Sequence, residues 1–355
     1  MKILGIVAEY NPFHGGHLSH LKRSEKISEA DAVVVIMSGN FVQRGEPALV
    51  DKWKRTKAAL LAGADLVIEL PLCCATASAG YFAKGAVTLL EKTGIVDCMC
   101  FGSECGDIEI LKECAKALLT EDEQFKKRMR GYLKQGFSYP VARSKAVFET
   151  SLPDTPNNVL GIEYIKALME LESEITPYTV FRSSGSAKEI RDTLKKGSHN
   201  FADLNNLSSI FHYILRTKSP SELGSFLDVA EGLENRLKQC AKENYLISDI
   251  IASAKTKRYT YLRLQRVVLH MILGITKVCN PEYIRVLGFR EKRANLLQML
   301  ERQARLPIVT NIKNAALPPL AAKILDEEIR STAVYSLAYP DFVYFNEYAM
   351  ELVKV

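Results

Sequence analysis

The chain has 355 residues, 47% hydrophobic and 25% charged, with a formal net charge of +6. This length and balance suit a soluble globular protein with a full core and two domains, or one domain with a large addition. No apolar run approaches the ~20 residues of a membrane helix, and the amino-terminal run is too short for a signal peptide and ends at Glu9. The eight cysteines include adjacent Cys73 and Cys74 but no zinc spacing, so they read as reduced thiols in a cytoplasmic protein, with no metal cage.

Ile3–Ala8 reads as a buried first strand. Asn11, Pro12, Gly15 and Gly16 read as a tight turn, after which Leu18 and Leu21 open a helix. The β-branched run Ala32–Met37 is a second strand. Asp51–Leu61 reads as a helix ending near Gly63, and Asp65–Leu70 as a third strand stopped by Pro71. Phe82–Lys92 is helical up to Gly94, and Val96–Phe101 is a fourth strand closed by Gly102 and Ser103. Helical patterns cover Ile108–Leu119 and Glu121–Gln135, and another runs from Pro156 through Ile165 to Leu171. Thr176–Phe181 is a fifth strand, with Pro177 near its start, where proline is tolerated. The loop Arg182–Ser186 leads into a helix over Ala187–Lys196.

Strands alternating with helices and buried on both faces mean an α/β fold with a doubly wound parallel sheet, whose ligands lie at the carboxyl ends of the strands. His14, Asn40 and Gly102 fall there. From about residue 200 strand signals fade and helical periodicity takes over, so the expected division is an α/β domain over 1–198 and a mainly α-helical domain over 199–355. Between Lys255 and Arg305 there are twelve Lys/Arg against three Asp/Glu, a local balance of +9 that leaves −3 for the rest. Arg285, Arg290, Lys292, Arg293, Arg302 and Arg305 belong to this excess, which points to RNA or DNA.

The most informative stretch is Val7, Ala8, Glu9, Tyr10, Asn11, Pro12, Phe13, His14, Gly15, Gly16, His17, Leu18, Ser19 and His20. His14 and His17 form an H-x-G-H pattern where a strand's carboxyl end meets a helix amino end. Free N–H groups and the helix dipole favour anions there, and glycines admit a phosphate close to the backbone. Imidazole donates hydrogen bonds to phosphate oxygens, more strongly when protonated. The alternative is that one histidine caps the helix and the other packs locally. The pattern resembles the nucleotide-binding signature of class I aminoacyl-tRNA synthetases and small nucleotidylyltransferases. Those enzymes direct attack on the α-phosphate of ATP and release pyrophosphate.

Other segments share the sheet's ligand end. Ser38–Gly45 offers an amide pair and the Arg44 guanidinium, reading as a substrate-side loop or a polar surface loop. Gly102 either admits a nucleoside against the backbone or is only a turn glycine. Asn157 and Asn158 either cap a helix or recognise an adenine edge or ribose. Arg182, Ser186, Lys188 and Arg191 form a second anion site at a helix start, or a capped helix with a basic face. Adenylation builds charge on the α-phosphate and on pyrophosphate, and positioned cationic donors stabilise it with little need for a protein nucleophile. A magnesium ion is expected to help neutralise the triphosphate. Lys255, Lys257, Arg258, Tyr259, Tyr261, Arg263 and Arg266 interleave basic and aromatic residues, the pattern of phosphate contacts with base stacking, or of an ordinary solvated helix face.

Together, Ala8–His17, Ser38–Gly45, Phe101–Glu104, Pro156–Asn158 and Thr256–Tyr261 resemble the bacterial tRNA(Met) cytidine acetate ligases, across nearly the whole chain. The resemblance implies a nucleotidylyltransferase-like, Rossmann-like catalytic domain and a basic tRNA-binding domain. It implies that ATP and acetate form acetyl-adenylate, and that the acetyl group passes to N4 of the wobble cytidine of elongator tRNA(Met). It carries the ATP site onto Val7–His20, Gly102, Asn158 (or Asn157) and Arg182. The usual serine-rich helix start has a hydroxyl where this chain has Lys188, while Ser186 and Arg191 are kept. No membrane or protein partner is evident. The competing readings are a small-molecule nucleotidylyltransferase with a merely structural basic region, and a non-catalytic RNA-binding protein on a nucleotide fold.

Overall fold

A computed structural model describes residues 1–121, 123–137, 142, 145–146, 155–182, 186–197 and 200–355; at 186–188 and 195–197 only the backbone is described. Five strands make a parallel core: β1 (Ile3–Ala8), β2 (Ala32–Ser38), β5 (Leu66–Leu70), β6 (Cys98–Ser103) and β7 (Thr176–Phe181). A small hairpin, β3 (Phe41–Val42) and β4 (Glu46–Pro47), follows β2. The spatial order β5-β2-β1-β6-β7 runs outward from β1 in both directions. The order therefore reverses between β1 and β6, where such sheets open a crevice for ligands.

Alternation along the strands assigns the two faces. Ile3, Val34, Ile36, Leu66 and Ile68 join a core with the helices Ala79–Thr93 and Pro156–Glu170. Leu4, Ile6, Val33, Val35 and Val67 join another with Leu21, Ala59 and Leu60 of the helices Gly15–Ser28 and Lys52–Ala62. Both faces are thus covered, which explains why the strands read as unbroken apolar runs.

Three features depart from expectation. Gly102 and Ser103 lie inside β6, paired with Val180 and Phe181, and do not close it. Beyond residue 200, helices Ser208–Thr217, Leu233–Cys240, Ile247–Ala254 and Tyr261–Leu273 do pack into a helical core. After Leu273, however, the chain returns to the sheet. β8 (Ile284–Phe289) pairs antiparallel with β5, and β9 (Ile308–Val309) and β10 (Val353–Lys354) pair with β8. The third departure is a disulfide: Cys73 and Cys279, with Cα atoms 6.2 Å apart, are bonded, while Cys74, Cys98, Cys100, Cys105, Cys114 and Cys240 are free. Folding β8 back beside β5 brings the Cys279 segment onto the turn after β5. No described helix is long and apolar enough to cross a membrane.

Candidate active site

The segment after β1 is shaped by buried contacts. Tyr10 adopts φ 48 and is 2% exposed, a left-handed conformation that costs a non-glycine residue about 1 kcal/mol or more. The buried Arg55 guanidinium donates to the carbonyls of Glu9 at 2.6 Å and Ser38 at 3.0 Å, and also to Gly39, tying the ends of β1 and β2 together. Asn11 Oδ1 accepts from Leu49 N–H at 2.8 Å. His14 then caps the helix Gly15–Ser28, its Nδ1 accepting from Gly16 N–H at 3.0 Å. That bond places the proton of the neutral ring on Nε2.

The capping reading of His14 and the anion reading are therefore compatible, because the cap aims the other nitrogen. The rings of His14 and His17 lie 3.8 Å apart, and His17 also packs against Tyr10 and Phe13. Among the described residues, His14 Nε2, His17 Nδ1 and His20 Nε2 are all buried without a hydrogen-bond partner. Buried polar atoms nearly always have partners, so three orphans together call for a polar ligand. Burial, then Arg182 and Arg191, lowers the His14 pKa. Burial, with His14 and Arg182, pulls His17 down to about 2. Burial and Arg182 take His20 to about 4 against a bond to the Phe101 carbonyl. All three are neutral near pH 7, and the positive charge of the site comes from arginines.

These groups border a cleft of about 430 Å³ at the β1–β6 switch point. Its polar lining includes Glu9, His17, His20, Gln43, Arg44, Asn157, Arg182 and Arg191. Its apolar lining includes Phe82, Val159 and Leu160, from the two helices that pack on that face, and Phe101 from β6. Of the amino-terminal segment, Val7, Ala8, Glu9, Tyr10, Asn11, His17 and His20 line the cleft. Pro12, Phe13, His14, Gly15, Gly16, Leu18 and Ser19 build the turn and first helical turn behind it.

Gly102 and Arg182 also line the cleft, and the reason for the glycine is visible. A Cβ on Gly102 would stand 3.0 Å from Arg182 Cδ and 3.2 Å from its Cβ, so the bare strand end makes room for the arginine. Arg191 Nη1 donates to Asn11 O at 3.3 Å and its Nε lies 3.9 Å from Glu46 Oε1. Ser183–Gly185 lie outside the described residues, and the side chain of Ser186 is not described.

Some expectations need correction. Asn157 lines the cleft, whereas Asn158 is 1% exposed and its Oδ1 accepts from Cys105 N–H at 3.0 Å. Thr155, not an asparagine, is the N-cap residue. The helix start is held by Glu104, which accepts from Thr155 Oγ1 at 2.8 Å, Asn157 Nδ2 at 2.6 Å and Asn158 N–H at 2.9 Å. Asn40 is buried, bridging Lys52 N–H and Thr332 Oγ1, so the reading of it as a ligand contact gives way to a structural one. Gln43 and Arg44 of the same loop do reach the cleft.

The basic segment is divided as well. Lys255, Lys257 and Arg258 are exposed on the turn before helix Tyr261–Leu273, with Arg258 paired to Glu231, and Tyr261 is exposed. Tyr259 is 7% exposed, its hydroxyl donating to Ala230 O at 3.2 Å, so it is a core residue with no free face for stacking. The Arg263 guanidinium lies over the Tyr259 ring at 5.2 Å, and Arg266 is partly buried. Part of the counted positive charge is paired within the chain. Arg290 and Arg293 pair with Asp65, Arg305 with Glu91, and Arg285 is buried in an ion cluster. The basic helix does touch the cleft loop: a Cβ on Gly45 (φ 81) would stand 2.5 Å from Arg266 N.

Among the described residues no group of three His, Cys, Asp or Glu side chains converges as a metal-ligand set. Glu9 is the one carboxylate among the described residues lining the cleft. A magnesium ion arriving with a triphosphate would therefore be held mainly by the triphosphate.

A parallel sheet with an H-x-G-H turn at its switch point and arginines facing the same cleft defines a nucleotidyl transferase. The sequence model of the HIGH Nucleotidyl Transferase family matches residues 1–195 and 183–349. The chain is 39% identical to the tRNA(Met) cytidine acetate ligase of Acetivibrio thermocellus, covering 96% of this chain and 95% of that one. It is 36% identical to that of Clostridium perfringens, covering 98% of each. The crystal structure of Thermotoga maritima TmcAL bound with alpha-thio ATP superposes with a TM-score of 0.92 at 32% identity, covering all of both chains. The chain belongs to the tRNA(Met) cytidine acetate ligase family.

Proposed function

We propose that this protein activates acetate with ATP as acetyl-adenylate, releases pyrophosphate, and transfers the acetyl group to N4 of the wobble cytidine of elongator tRNA(Met), yielding N4-acetylcytidine. The observation that carries the proposal is the pair of imidazole nitrogens, on His17 and His20, that have no partner among the described residues and share the switch-point cleft with Arg182 and Arg191, with His14 stacked behind them. Neutral imidazole donors and fixed guanidinium groups answer the charge that develops when a carboxylate attacks the α-phosphate and pyrophosphate departs. The apolar lining from Phe82, Phe101 and Leu160 suits an adenine ring, and the Asn157 amide beside it can orient the nucleoside. Magnesium supplies charge neutralisation on the triphosphate when bound.

The tRNA is assigned to the turn Lys255–Arg258 with Tyr261, as part of a tRNA-binding region within 199–355. The contact between Gly45 and Arg266 supports this, because it joins the basic helix to the cleft loop carrying Gln43 and Arg44. A cytoplasmic location fits a tRNA substrate. The test is labelled-acetate incorporation into elongator tRNA(Met) with and without ATP. ATP-dependent label in the anticodon loop is expected. Absence of label, with pyrophosphate released when other small acids or nucleotides are offered, would favour a small-molecule nucleotidylyltransferase.

Gly102→Ala separates the two readings of that glycine. Displacing Arg182 costs about one charge-assisted hydrogen bond, so the KM for ATP is expected to rise about tenfold with little change in melting temperature. An unchanged KM would show that Arg182 does not need the bare strand end.

A further inference from the structure

Acetyl transfer to an exocyclic amine releases a proton, and among the described residues the cleft offers few acceptors for it. His17 and His20 have pKa values lowered to about 2 and about 4, which makes them poor bases near pH 7. Tyr10 and Tyr164 are buried phenols whose pKa values are raised, so they already hold their protons. Arg44, Arg182 and Arg191 are cations, and Gln43, Asn11 and Asn157 are amides.

Glu9 differs from all of these. It stands one residue beyond the carboxyl end of β1 and lines the cleft. Its Oε1 accepts from Gln43 N–H at 2.8 Å, and its carbonyl is held by Arg55 at 2.6 Å. The residue is thereby held at its carboxylate and at its backbone carbonyl, and the described residues supply no hydrogen-bond donor to the second carboxylate oxygen. We infer that Glu9 accepts the N4 proton of the target cytidine in the acetyl-transfer step. This inference rests on the acetyl-adenylate reading above. The N4 lone pair closes a C–N bond on the acetyl carbonyl carbon. The C–O bond to the adenylate breaks with its electron pair going to the AMP oxygen, and the N4 proton passes to the Glu9 carboxylate. The proton then leaves to solvent.

The groups facing Glu9 set its titration. Burial raises its pKa, the Gln43 N–H and the charges of Arg44 and Arg191 lower it, and Glu46 raises it, with a net upward shift. Arg55 and Tyr164 also face it. A carboxyl shifted upward is a better base than an ordinary carboxylate while remaining ionised above its own pKa. The transfer rate is therefore expected to rise with pH through that raised pKa and level off above it.

The experiment compares two acceptors for the same acetyl-adenylate. The wild-type, Glu9→Gln and Glu9→Asp proteins are given ATP, labelled acetate and either elongator tRNA(Met) or hydroxylamine, a strong nucleophile with little need of a base. In Glu9→Gln, the ratio of tRNA acetylation to acetohydroxamate formation is expected to fall about 100-fold or more, and the rising limb of the transfer pH profile to disappear. Glu9→Asp should recover part of the ratio. The ratio cancels any shared loss through folding or ATP affinity. Equal losses with both acceptors, or an unchanged ratio, would overturn the role of Glu9. Failure of the wild-type protein to make acetohydroxamate would instead overturn the acetyl-adenylate reading beneath it.

Discussion

Replacing His17 by alanine is expected to lower acetate-dependent ATP–pyrophosphate exchange by about 10²–10³-fold, the range for removing one donor to a developing anion, while leaving tRNA affinity nearly intact. The ring sits between His14 and Tyr10, with Nδ1 buried and unpartnered. Its removal takes away a polar group that has no hydrogen-bond partner among the described residues. His17→Asn keeps a neutral donor of smaller reach and should retain more activity than alanine. Because burial and its neighbours hold His17 down to about 2, it loses no proton between pH 5 and pH 8 in the free protein. The kcat/KM profile for ATP should therefore show no limb near pH 6.5 that His17→Asn removes. Such a limb would mean that His17 works as an imidazolium. Exchange at the wild-type rate in His17→Ala would remove the histidine pair from the mechanism.

The parallel core was legible because it is buried on both faces. Val33–Ile36 and Leu66–Ile68 have no polar residue to interrupt them, and only a central strand tolerates that. β8 escaped the same reading because Arg285 and Gly288 lie inside it, in a stretch where basic residues dominate the count. The H-x-G-H turn was legible as an anion site because its chemistry is local: a strand end, glycines and a helix start. The partners that complete the site are not local. Glu104 reaches across 53 residues to Asn157, and Arg55 reaches 46 to Glu9. A sequence gives no sign of which buried polar residue will find which carbonyl. Tyr259 shows the converse difficulty. Among Lys257, Arg258 and Tyr261 it looks like a stacking residue, yet its side chain closes the helical core.

Arg285→Ala is expected to destabilise the protein by about 3–5 kcal/mol, the usual cost of breaking a buried pair from one side, measured by urea unfolding. Arg285 is 6% exposed and lies 3.2 Å from Glu69 Oε2 and 2.5 Å from Glu347 Oε2. Lys52 Nζ meets the other oxygens of the same two carboxylates at 2.6 and 2.5 Å. Burial alone would raise the Glu347 pKa, but Lys52 and Arg285 pull it below the usual range. Nearby Glu328 has a raised pKa, from burial and then the Glu69 charge, so it adds no full negative charge near neutral pH. Two cations and two carboxylates thus balance in a buried site, and losing one cation leaves a buried charge without its partner. The same cluster ties β8 and the carboxyl-terminal segment to the cleft. Glu347 accepts from Thr332 Oγ1 at 2.5 Å, Thr332 accepts from Asn40, and Asn40 accepts from Lys52 N–H beside the Asn11–Leu49 contact. Removing charge from both sides, as in Arg285→Met with Glu347→Gln, should recover much of the loss, because no unpaired ion then remains. Equal destabilisation in the single and double variants would show that packing of the guanidinium, not its charge, holds β8 against β5.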